Sequence, residues 1–159
     1  MITLKPMAEE EFQRYCEYAI EDYAIEDYAK EKVAAGNWSE DEAVNLSKIE
    51  FDRLLPKGEK TEYNYLYSIF HDQNLVGMIW IAQKAPTSNE AGFIYDFIIF
   101  EQYQGLGYGK KAMKELEVIA KELGMKKIGL HVFGHNKVAR GLYEKLGYEI
   151  TNINMIKSI

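Results

Sequence analysis

With 159 residues, 47% of them hydrophobic and 28% charged, the chain has the balance of a soluble globular protein and the length to bury a real core in one domain. Its net charge of −6 disfavours a nucleic-acid partner held by phosphate neutralisation. The single cysteine, Cys16, excludes an internal disulfide and fits a reducing cytoplasm, and the lack of a leader pattern or a long apolar run argues against secretion and membrane insertion.

In chain order, residues 1–4 alternate and read as a first strand, ended by Pro6. Residues 8–35 are rich in Glu, Ala, Tyr and Lys and read as a helix that stops at Gly36. Inside it, Tyr18-Ala-Ile-Glu-Asp22 is followed by Tyr23-Ala-Ile-Glu-Asp27 and a looser copy from Tyr28. Five residues advance a helix by about 500°, so successive copies turn by roughly 140° and the three tyrosines do not share a face. The repeat reads either as a duplication absorbed on a solvated helix face or as an acidic, aromatic wall beside a substrate site. Ser39 before Glu40, Asp41 and Glu42 is a good N-cap for a second helix through Ala43, Leu46, Ile49 and Leu54, closed by Pro56 and Gly58.

Residues 63–71 and 75–82 then read as two strands around an Asp72-Gln73-Asn74 turn, and a loop at 86–90 leads to a third, aromatic and β-branched strand at 93–100. Residues 104–109 form a loop with glycine at 105, 107 and 109. From Lys110 a helix presents Ala112, Met113, Leu116, Ile119, Ala120 and Leu123 on one face and ends at Gly124. Residues 127–133 alternate as a strand. Gly134, His135 and Asn136 turn into a last helix carrying Val138, Ala139, Leu142, Tyr143 and Leu146, stopped by Gly147, and residues 148–159 read as one or two closing strands. Strand, glycine loop, helix and strand make a βαβ unit whose strands should be parallel. The expected fold class is α/β, with a sheet antiparallel at its start and parallel at its centre. No composition break divides residues 1–159.

The glycine loop is where chemistry enters. Glycine tolerates positive φ and lets a ligand approach the backbone. A helix start offers free N–H groups and partial positive charge, which suits a phosphate or pyrophosphate. Three glycines in a surface turn are also read simply as a turn. A Walker loop is excluded because no Gly-Lys-Ser/Thr follows, and a Rossmann fingerprint belongs after the first strand of repeated βαβ units.

Two blocks narrow the reading. Gln104-Gly105-Leu106-Gly107-Tyr108-Gly109 matches Gln/Arg-x-x-Gly-x-Gly/Ala. Asn136, Ala139, Leu142, Tyr143, Gly147 and Tyr148 match Asn-x-x-Ala-x-x-Leu-Tyr-x-x-x-Gly-Phe/Tyr. In this order, separated by a helix and a strand, they resemble the GNAT superfamily of acyl-CoA-dependent N-acyltransferases, over essentially the whole chain. The resemblance implies one GNAT-type N-acetyltransferase domain with a mixed sheet, antiparallel first strands and a splayed parallel central pair flanked by helices. It implies acetyl-CoA as acyl-donor cosubstrate, no metal, and direct transfer to a primary amine in a ternary complex. Main-chain N–H groups of Gln104, Gly105, Leu106, Gly107, Tyr108, Gly109 and Lys110 would hold the pyrophosphate. The pantetheine arm would pair with backbone near Ile98 and Ile99, as an added strand does. Asn136 would bond the arm, and Lys137, Arg140 or Lys145 would meet the adenosine end.

By the same resemblance, Tyr143 lies near the CoA sulfur as general acid for the leaving thiolate, and a backbone N–H near Ile98 supplies the oxyanion donor. Asp96, a carboxylate inside an apolar strand, needs a partner, a wet cavity or a chemical task; it is the candidate base. His131 is the rival base, and His71 and His135 read as strand-end or turn residues not spaced as metal ligands. Cys16 is not required as a nucleophile. The acceptor side falls on the first two helices, acidic and tyrosine-rich at Tyr15, Tyr18, Glu21, Tyr23 and Trp38, which suits a small amine or a lysine or N-terminal amine. Two other readings stay open, a non-catalytic acyl-CoA-binding module and a nucleotide-binding domain using the same loop. Pairing through the closing strands is one route to a homodimer.

Overall fold

A computed structural model describes residues 1–25, 40–85 and 88–159. Its sheet follows chain order: β1 (Ile2–Pro6), β2 (Asn64–His71), β3 (Asn74–Ala85), β4 (Ser88–Ile99) and β5 (Lys127–Leu130). β1 to β4 pair antiparallel and β5 pairs parallel with β4. Helices α1 (Glu9–Ile25) and α2 (Glu40–Leu54) precede β2, α3 (Tyr108–Glu122) joins β4 to β5, and α4 (Lys137–Lys145) follows β5.

Alternation in the strands divides the apolar side chains between two faces. Tyr67, Ile69, Ile79, Ile81 and Ile94 face α3, whose Ala112, Met113, Leu116 and Ala120 are buried at helical spacing. Leu66, Met78 and Trp80 face the other way, onto Tyr15 and Ala19 of α1. Phe12, Tyr15 and Ala19 lie at i, i+3 and i+7, one stripe of a helix. Phe51 of α2 closes this second core, with ring centroids 5.8 Å from Tyr15 and 5.6 Å from Trp80.

One irregularity decides how β4 presents its side chains. Trp80 pairs with Asp96 but Ile81 pairs with Ile94, so Tyr95 is an extra residue, a β-bulge. Strict alternation would put Asp96 on the face of Ile94, against α3. The bulge resets the phase, and Asp96 shares the α1 face with its partner Trp80. Tyr95 shares it as well, stacked on Trp80 at 4.6 Å.

The structure corrects several boundaries. β4 begins at Ser88, inside the expected loop at 86–90, because Ala85 pairs with Ser88 across a hairpin. α3 begins at Tyr108, two residues ahead of the expected Lys110. β5 ends at Leu130 and does not reach 133; Ile94↔Leu130 is its last pair, immediately before the bulge that bends β4. Residues 148–159 form no strand, and Ile153, Met155 and Ile156 are exposed. A strand exists only through a neighbour that takes its backbone hydrogen bonds, and the four-residue β5 offers little edge. The sheet therefore ends at β5. The last part of the expected first helix, Gly36, Trp38, the Ser39 cap and the Tyr28 copy of the repeat lie outside the described residues. No helix among the described residues is long and apolar enough to cross a membrane.

Candidate active site

The parallel pair holds together only from Ala91↔Lys127 to Ile94↔Leu130, while β4 continues to Ile99. Among the described residues, the backbone of 95–99 therefore has a strand neighbour on the β3 side alone. This splayed edge carries Ile98 and Ile99, and it runs from the Tyr95 bulge toward the glycine loop.

At that loop, a short 3-10 turn (Glu101–Tyr103) leads into Gln104, whose side-chain amide donates to the Ile99 carbonyl at 2.8 Å and ties the loop to the strand end. Gly105 and Gly107 have φ of +77° and +79°, a region that disfavours any residue with a Cβ. An added Cβ would meet nothing within 4 Å at either, so conformation and not space calls for glycine there. Gly107 is the N-cap of α3 and no side chain caps this end. The first turn holds no acidic residue, and the sequence puts Lys110 and Lys111 there. Cations at a helix N-terminus oppose the dipole, an arrangement that an anion held there would offset. Leu106 stands exposed at the loop tip, and Gly109 has ordinary room toward Leu142 and Phe97. Tyr108 stacks on His71 at 4.6 Å, with its hydroxyl 3.2 Å from His71 Nδ1, which fastens the head of α3 to the end of β2.

Asp96 approaches the open edge from the α1 face. Its Oδ2 accepts from the Tyr15 hydroxyl at 2.8 Å and its Oδ1 from the Phe97 N–H at 2.9 Å. Burial, followed by the charge of Asp96 and the hydrogen bond to it, pushes the Tyr15 phenol well above its ordinary pKa, so it remains a donor. Tyr143, on α4, packs against the α3-side core, with its ring 5.7 Å from Tyr148. Burial and then the negative charge of Asp96 push its pKa up to about 12. The two candidate groups thus sense one another from opposite faces of the sheet.

Asn136 is the N-cap of α4, its Oδ1 accepting from the Ala139 N–H at 3.2 Å. His131 lies past the end of β5, exposed, its ring against Phe133 at 4.9 Å, and not on a strand as expected. Cys16 is half-buried; burial, then Asp52, Glu59 and Glu17, raise its thiol to about 11, which leaves it a poor nucleophile at neutral pH. No group of three or more His, Cys, Asp or Glu among the described residues is arranged to hold a metal. Of the acceptor-side residues, Tyr15 is in the core, Tyr18 is partly exposed with its ring 6.1 Å from Phe100, and Trp38 lies outside the described residues. The reading from sequence did not anticipate the Tyr95 bulge, the Tyr15 contact to Asp96 or the His71 contact to Tyr108. Tyr15, expected on the acceptor side, is instead a core residue; the i, i+3, i+7 stripe is the signal that turns it inward, but nothing local names its partner 81 residues away.

Comparison with known proteins agrees with this geometry. The sequence model of the Acetyltransferase (GNAT) family matches residues 7–148. YycN of Bacillus subtilis, named an uncharacterised N-acetyltransferase, is 40% identical over 99% of both chains. Its crystal structure superposes with a TM-score of 0.88, covering 100% of this chain and 99% of that one. A spermine/spermidine N(1)-acetyltransferase of the same organism is 31% identical over 65% of this chain and 72% of its own length. The PaiA N-acetyltransferase of Thermoplasma acidophilum, solved with coenzyme A, shares the fold, with a TM-score of 0.67 at 20% identity over 97% of this chain and 93% of that one. With splayed strands, a left-handed glycine loop at a helix start and a family match across nearly its whole length, the chain belongs to the GNAT family of acetyltransferases.

Proposed function

We propose that the protein transfers an acetyl group from acetyl-CoA directly to a primary amine, with donor and acceptor bound together in one domain spanning residues 1–159. The open edge of β4, leading from Asp96 to the glycine loop, is the observation that carries this reading. A pyrophosphate suits the main-chain N–H groups of residues 104–110. An extended pantetheine arm suits the side of β4 near Ile98 and Ile99 that has no neighbouring strand, and Asn136, at the head of α4, is the side chain to bond it.

The amine nitrogen attacks the thioester carbonyl, a C–N bond forms, the C–S bond breaks, and the nitrogen gives up a proton. Asp96 takes that proton, directly or through water. An N–H near Ile98 supports the oxyanion. Tyr143 hydrogen-bonds the departing sulfur and protonates it. At about 12, its phenol is a weak acid toward a thiolate whose conjugate thiol lies at ~8.5. Asp96 becomes neutral when it accepts the amine proton, which removes one cause of the raised value. Base and acid are thus coupled: uptake at Asp96 strengthens the acid when the sulfur needs it.

For the acceptor, the α1 side offers the exposed ring of Tyr95 beside Trp80, together with the Asp96 carboxylate, features that suit an ammonium-bearing chain. The spermine/spermidine acetyltransferase relative makes polyamines the first acceptors to try. A cytoplasmic setting, where acetyl-CoA is available, fits the lone thiol of Cys16.

Titration calorimetry with CoA, followed by a thiol-release assay over spermidine, diamines and lysine peptides, tests the reading. Binding with acceptor-dependent thiol release supports it. Binding without release across the panel favours an acyl-CoA-binding module instead, and absence of CoA binding overturns both.

A further inference from the structure

We infer that Tyr15 is a positioning residue for the transfer, its buried hydroxyl holding Asp96 ionised and aimed at the open edge of β4. This rests on the proposed role of Asp96 as the base.

Asp96 sits on a strand of apolar neighbours, where a carboxylate needs donors to remain charged. One oxygen takes the N–H of Phe97, which is fixed by the strand, and the other takes the Tyr15 hydroxyl at 2.8 Å. Tyr15 is 1% exposed and wedged between Phe51 and the Trp80 core, so packing fixes its rotamer. The contact depends on the bulge, since with Tyr95 in regular alternation the carboxylate would point to the α3 face. Two unusual features, a buried phenol on α1 and an extra residue on β4, thus converge on one side chain. Burial keeps Tyr15 protonated, so it is a constant donor and does not exchange the proton Asp96 takes. Among the described residues, the titratable groups that sense this pair include Cys16 on α1, neutral at its raised value, and Tyr143 on α4. A donor to a carboxylate favours the charged form, so removing it raises the carboxyl pKa.

Tyr15→Phe removes the hydroxyl and keeps the ring. In the full-length protein it is expected to leave CoA affinity by calorimetry unchanged. The acid limb of kcat/KM for the amine should move up by about one pH unit, with about tenfold loss of rate below it. The acceptor's own ammonium titration is common to both proteins and cancels. A carboxyl ¹³C titration, with the Asp96 signal assigned by its loss in Asp96→Asn, should show the same upward shift without reference to turnover. In an Asp96→Asn background, Tyr15→Phe should have no further effect on rate. If Asp96→Asn costs less than about threefold, the base assignment fails, since a general base supplies about a hundredfold or more. If Asp96→Asn is severe but Tyr15→Phe shifts neither the limb nor the carbon signal, the base stands and the positioning role fails. If Tyr15→Phe lowers rate equally in both backgrounds, its role is packing alone and the inference is overturned.

Discussion

Replacing Gly107 by alanine probes the cradle at its most constrained point. Gly107 sits at φ +79°, ψ 9° as the N-cap of α3. Alanine in this left-handed region costs about 1–2 kcal/mol. A Cβ there meets nothing within 4 Å, so no clash adds to that sum. If the loop keeps its shape, the strain appears as lost stability. If the loop relaxes to negative φ, the N–H groups turn away from the ligand and the same strain must be restored on binding. The stability loss and the affinity loss together should therefore come to about 1–2 kcal/mol, which as affinity alone is about 5- to 30-fold. Urea unfolding and CoA calorimetry on the same preparation measure the two parts. Gly141 is the control: it lies inside α4 with ordinary φ and open space. Gly141→Ala should leave CoA affinity alone and stabilise the protein by up to about 1 kcal/mol. A Gly107→Ala protein with unchanged stability and unchanged CoA affinity would refute the reasoning.

Three further outcomes are expected. Gly77→Ala would put a Cβ 2.1 Å from the Ile98 carbonyl oxygen, so β3 and β4 must part by about 1 Å to reach ordinary contact; stability and CoA affinity should fall together, and a variant with both intact contradicts the close approach. Alkylation of Cys16 should be slow at pH 8, where a thiol at about 11 is only ~0.1% ionised, and should rise steeply above pH 10; labelling at the rate of a free thiol with a midpoint below 9 refutes this. Tyr143 and Tyr148 are both raised to about 12, so the folded state holds their protons more tightly than the unfolded chain does. Their contribution is complete below pH 10 and is lost as pH rises from 10 to 12; the melting temperature should drop across that window, and a flat profile there counts against the burial of both phenols.

Much of the fold was legible because it is written in short-range pattern. The stripe of Ala112, Met113, Leu116 and Ala120 declared α3 and its buried face, and the glycines at 105 and 107 declared a left-handed turn before a helix. The parallel β4–β5 pairing followed from a helix joining two strands. What escaped was set by pairing between distant segments. Nothing in Ile94-Tyr95-Asp96 marks Tyr95 as a bulge; that arises where β4 meets Trp80 and Ile81 across the hairpin. The face of Asp96, and so its bond to Tyr15, could not be read from alternation. Residues 148–159 carry isoleucine at 150, 153, 156 and 159, yet a strand needs a partner edge, and the sequence does not say how short β5 is.

The half-used edge of β4 has a cost when no donor molecule lies along it. A strand margin that, among the described residues, has no neighbouring strand beyond Ile94 is a template on which another polypeptide can assemble. A bound acyl carrier would shield that margin as well as react on it. The tendency of this protein to self-associate or precipitate should therefore track how much coenzyme is present, which makes cosubstrate supply a determinant of colloidal behaviour in addition to turnover.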